Sequence, residues 1–64
     1  MIDYQIRLYK IGGALSVIIP VVAIDLADAR LQAFAMFKEG MVEAEIWTNL
    51  NLLDTVAFPD TPPN

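Results

Sequence analysis

Cysteine and histidine are both missing from this 64-residue sequence, and the gap removes more chemistry than any residue present adds. Without cysteine no disulfide can staple the fold, and without either residue a structural zinc site lacks its usual ligands. The same gap excludes histidine-dependent triads, thiol nucleophiles and an imidazole base near neutral pH, and with them most hydrolase and redox templates. Cations are also few: Arg7, Lys10, Arg30 and Lys38 are scattered among eight Asp and Glu. A net charge of -4 and a pI near 4.2 oppose binding to phosphate backbones, whose affinity comes from clustered Lys and Arg. No nucleic-acid partner is expected, and no polybasic membrane patch exists.

A membrane-length apolar run is absent too. The greasiest stretch, "ALSVIIPVVAI" from Ala14 to Ile24, holds eleven residues before Asp25, whereas a spanning helix needs about 20. No transmembrane segment is expected. The opening "MIDYQIRLYK" is charged and alternating, unlike the basic-then-apolar start of a signal peptide, so the cytoplasm is the default location.

What the sequence does hold is apolar surface: 56% of residues are hydrophobic, 19% are charged and the mean hydropathy is +0.49. A single domain this small buries only about 60% of the surface its unfolded chain exposes. With no covalent or metal staple, hydrophobic packing must hold it, within one chain or between several.

The periodicity predicts β-β-α-β-β. "YQIRLYK", Tyr4 to Lys10, alternates, with Tyr4, Ile6 and Leu8 on one side and Gln5 and Arg7 on the other. Gly12 and Gly13 supply the positive φ angles of a hairpin turn. The returning run is rich in residues branched at Cβ, which favours extended backbone, and Pro20 places it at an edge or at a bend. With strict alternation Leu15, Val17, Ile19 and Val21 face one way, and Ile18, Pro20 and Val22 the other.

From Asp25 to Gly40 the branched residues vanish and a helix is predicted. Asp25 is its N-cap, Asp28 adds charge to the first turn, Lys38 suits the C-terminal end and Gly40 closes it. "MVEAEIW" alternates again, with Glu43, Glu45 and Trp47 opposite Val42, Ala44 and Ile46. "TNLN" turns, and "LLDTVAF" returns as a fourth strand. The expected fold is α+β in two layers: a four-stranded, mainly antiparallel sheet with one helix on one face, in a single domain over residues 1–58. "PDTPPN", residues 59–64, is expected to be a flexible tail.

One helix covers one face only, so half of the apolar second strand needs another cover. The helix is itself apolar over a wide arc: Leu31, Phe34 and Ala27 broaden the stripe of Leu26, Ala29, Ala33, Met36 and Phe37. Arg30 lies between Phe34 and Phe37 on this wheel, where its stem is expected along the rings and its guanidinium in reach of water or of a carboxylate, which a second chain could supply. Ile18, Pro20, Val22, Arg30, Phe34 and Trp47 are the candidate association surface. Pairing of two faces, or of two sheet edges, would cover it.

Carboxylates are the remaining reactive groups. Glu43 with Glu45 on one strand face, and Asp25 with Asp28 at a helix start, have the spacing of acid–base or cation pairs. Solvation accounts for the first pair and helix capping for the second. "GG" lacks the lysine and following helix of a phosphate loop. No catalytic residue, cofactor or metal is assigned.

The succession of "YQIRLY", a glycine turn, "DLADARLQAFAMF", then "AEIW" and "VAF" resembles small proteobacterial proteins of unknown function with a ββαββ layout, over about Tyr4 to Phe58. The apolar second strand departs from their pattern, which is more polar there. The resemblance implies the fold and carries no activity. The expected role is a non-enzymatic interaction module, a homo-oligomer with the dimer first or a subunit of a larger assembly. The alternatives are a small-ligand binder or minor enzyme at Glu43, Glu45 and Trp47, and a membrane-associated accessory subunit.

Overall fold

The computed structural model describes residues 1–59, and the tail expected beyond Pro59 lies outside the described residues. Strands β1 (Ile2–Lys10) and β2 (Leu15–Ala23) are followed by helix α1 (Leu26–Ala35) and strands β3 (Met41–Thr48) and β4 (Asn51–Ala57). All four strands form one antiparallel sheet in the order β2-β1-β3-β4, so the chain crosses over α1 to pair β3 with β1. The ββαββ fold expected from the periodicity is the fold observed.

Local chemistry explains each boundary. The β1–β2 turn closes with Gly13 N–H donating to Lys10 O at 2.9 Å, and Gly12 and Gly13 sit at φ of +92° and +86°. A side chain at either position would pay the left-handed penalty that glycine escapes. The run that follows forms edge strand β2, as Pro20 requires. Its register shifts between Leu8 and Tyr9, which sets Leu15 opposite Tyr9 instead of continuing the Val17, Ile19, Val21 side. Strict alternation therefore fails for Leu15, because the bulge inserts one unpaired residue.

Asp25 caps α1: its Oδ1 accepts from Asp28 N–H at 2.9 Å, and Asp28 Oδ2 accepts in turn from Ile24 N–H at 3.0 Å. Two acidic side chains thus satisfy backbone donors that would otherwise be unpaired, at the end of the helix that attracts negative charge. Asp25→Ala is expected to cost about 1 kcal/mol, which lowers the thermal midpoint by roughly 4–8 °C in a domain of this size. An unchanged melting curve by circular dichroism would show that the cap contributes nothing.

The far end differs from expectation. The helix stops at Ala35 with Met36 as C-cap, and the amides of Met36 and Phe37 bond the carbonyls of Ala33 and Phe34 in a tightened last turn. Gly40 has positive φ, but it serves the turn into β3, where Met41 N–H meets Lys38 O. Lys38 consequently lies beyond the last turn and does not face the helix dipole. The early stop has a packing cause: Phe37 leaves the helix to stack on Phe58, with ring centroids 4.4 Å apart and planes 18° from parallel.

The core lies between α1 and one face of the sheet. Tyr4, Ile6 and Leu8 from β1 meet Ala44 and Ile46 from β3 and Val56 from β4, under Ala29 and Ala33 of the helix. Alanine at both helical contact positions lets the backbone approach the sheet closely, so the large core side chains come from the strands. Phe34 adds an edge-on contact to Phe58 at 5.9 Å. The wide apolar arc of α1 is only partly used: Leu31 remains 72% exposed and Phe34 41%.

Candidate association surface

Among the described residues no helix lies over the other face of the sheet. Asp3, Gln5, Arg7 and Tyr9 alternate with the buried side of β1 and so point to this face, as do Ile18, Pro20 and Val22 of β2 and Glu43, Glu45 and Trp47 of β3. Register aligns them in rows across the strands. One row runs Pro20, Gln5, Trp47, Leu52, and the next runs Ile18, Arg7, Glu45, Thr55. The β2 side of the face is apolar, with Ile18 and Val22 exposed to 44% and 48%, and the β3 side is acidic and aromatic.

At the centre four side chains bind one another. Tyr9 OH donates to Glu45 Oε1 at 2.6 Å, and Trp47 Nε1–H donates to the same oxygen at 3.1 Å. The Arg7 guanidinium lies 4.1 Å from the centroid of the Trp47 ring, a cation–π stack. Although Arg7 is paired with Glu45 across the strands, it forms no ion pair among the described residues, and its buried Nε has no hydrogen-bond partner. The ring therefore holds the cation, while Glu45 serves Tyr9 and Trp47.

The hydrogen bond to Glu45 holds the Tyr9 phenol above its ordinary pKa of 10.0, helped by desolvation and by the Glu45 charge and opposed by Arg7. A folded state that keeps the proton more tightly than the unfolded chain is stabilised by this group below pH 10.0, and that contribution is lost as pH rises through the elevated value. Glu45→Gln is expected to return Tyr9 toward normal titration, read from phenolate absorbance. Identical titration curves in the two proteins would exclude the coupling.

Both sheet edges are interrupted. Pro20 has no N–H, so it occupies a position of β2 turned away from β1, and the outward row is Ile18, Pro20, Val22. The carbonyl of Val22 in that row accepts from Gln32 Nε2 at 3.0 Å. At β4, Phe58 N–H donates inward to Val42 O, which by alternation turns the amides of Ala57 and Thr55 outward. Thr55 N–H is taken by Asp54 Oδ1 at 2.8 Å, and Pro59 ends the outward row without a donor. Each edge row therefore has gaps that shorten the run of backbone groups a further strand could use.

No match to this chain is found among protein-family models, curated proteins or solved structures. The site is therefore read from geometry. The six residues singled out from the sequence fall on two surfaces: Ile18, Pro20, Val22 and Trp47 share the helix-free face, whereas Arg30 and Phe34 lie on the helix. Arg30 needs no second chain for its carboxylate, because it pairs with Asp54 of β4. Glu43 and Glu45 share the face with Trp47 as expected.

Sequence reasoning missed Arg7 and Tyr9 as members of this surface, since their partners are on β3 and strand order has no local signal. It also missed a cleft of about 330 Å³ at one end of the β1–β2 pair, lined by Asp3, Gln5, Pro20, Val22 and Asn49 among others. Among the described residues no three acidic side chains gather as metal ligands, and no helix is long and apolar enough to cross a membrane.

Proposed function

We propose that the protein is a non-enzymatic association module that pairs with a second copy of itself through the helix-free face of its sheet. One observation carries this reading: Ile18, Pro20 and Val22 stand exposed on one side of β1, and Trp47 lies on the other, on a face that no described residue covers. A contiguous apolar patch bordered by polar groups is the usual mark of an association site, and a half-buried tryptophan is a common anchor. Interrupted edges favour contact through the face over extension of the sheet.

Trp47 is the single tryptophan of the sequence and reports on this face directly. Its emission is expected to shift to the red on dilution, as the partner surface leaves and water reaches the ring. Emission that is constant across dilution, in a protein whose circular dichroism is also constant, would argue that nothing covers the face.

A further inference from the structure

On the self-association reading above, we infer that two copies meet about a two-fold axis running along the strands between β1 and β3, so that Arg7 of each copy faces Glu45 of the other. Such an axis keeps every residue at its level along the strands and exchanges the two sides of the sheet. β1 then lies over the partner's β3, and β2 over the partner's β4. The observed register makes the two halves complementary: Arg7 is level with Glu45, Tyr9 with Glu43, Gln5 with Trp47, and Ile18 with Thr55.

Charge selects this axis. The face carries one cation, Arg7, with no ion pair among the described residues, the carboxylates Glu43 and Glu45 side by side on β3, and Asp3 near the start of β1. An axis across the strands at the level of Glu43 and Glu45 would set β3 over β3 and gather the four glutamates. The axis along the strands separates them and brings each opposite β1, where Arg7 presents a cation. Stacking on Trp47 already fixes the Arg7 head, so little side-chain freedom remains to be lost on contact. Sheets packed face to face keep their strands within about 30° of parallel, which preserves this pairing of levels.

The test uses two charge reversals, Arg7→Glu and Glu45→Arg, measured separately and mixed. Alone, each puts like charges opposite one another twice across the axis, and dimerisation is expected to weaken by more than about tenfold. Mixed in equal amounts, the two variants present opposite charges at both contacts, and the dimer mass is expected to return. Repair within one chain cannot produce that recovery, because each variant keeps its own like-charged pair in its own sheet. Folded variants that stay monomeric when mixed, beside a dimeric wild type, overturn this axis and leave self-association standing.

Should either reversal unfold the chain, single cysteines replace it, on a background free of native thiols. A short bis-maleimide is expected to join Ile18→Cys to Thr55→Cys in a mixture faster than either variant to itself. Faster self-joining of Ile18→Cys overturns the axis. A wild-type chain that is monomeric at every concentration overturns the self-association reading, and the axis with it.

Discussion

Ile46→Ala is expected to leave much of the chain unfolded in dilute solution at room temperature. Ile6, Leu8 and Ile46 are the largest fully buried side chains, and Ile46 pairs with Ile6 across the β1–β3 junction that the helix covers. Truncating a buried isoleucine to alanine costs about 2–5 kcal/mol, because the cavity left behind collapses only partly. A domain below about 70–80 residues rarely has more than ~3–5 kcal/mol of stability, and this one has no disulfide to limit its unfolded state. The cost is thus comparable to the whole. Urea unfolding followed by circular dichroism would show a shallow transition beginning without denaturant. A cooperative transition near the wild-type midpoint would show that the core can refill the space. Leu31→Ala is the matched control: with 72% exposure it should change the midpoint little.

Ile18→Lys and Val22→Lys are expected to act on assembly while leaving the fold intact. Both side chains stand on the helix-free face of edge strand β2 and support none of the core beneath α1. On the free protein the added ammonium groups reach water. In a face-to-face dimer both would lose that water, and the one at position 18 would gain no carboxylate, since Ile18 is level with Arg7 and Thr55. The dissociation constant should rise by at least about tenfold, equivalent to 1.4 kcal/mol. Sedimentation measures this, with circular dichroism as the check on folding. If both variants assemble like the wild type, the face is not the interface.

The fold was legible because its signals are local. Alternation in "YQIRLYK" and "MVEAEIW" assigned Ile6, Leu8, Ala44 and Ile46 to one face, and all four are buried. Asp25 announced the start of the helix, the glycine pair announced the hairpin, and Pro20 announced an edge.

What escaped depends on distant contacts. The helix stops before Gly40 because Phe37 turns toward Phe58, and no spacing near Gly40 encodes that stack. Arg30 finds Asp54 and Tyr9 finds Glu45 across 24 and 36 residues. The candidate surface was half legible for the same reason. Ile18, Pro20, Val22 and Trp47 came from single-strand parity, whereas Arg7 joined them only once β3 lay beside β1. The bulge at Leu8/Tyr9, which moved Leu15 to the other side, follows from the geometry of the turn and not from hydropathy.

The central claim is that one helix shelters one face, and that the other face is sheltered by a second copy. Molar mass from light scattering over a wide dilution series tests it most directly. Self-association predicts a mass near twice 7.1 kDa at high concentration that falls toward 7.1 kDa as the protein is diluted. A mass of 7.1 kDa at every concentration would contradict it.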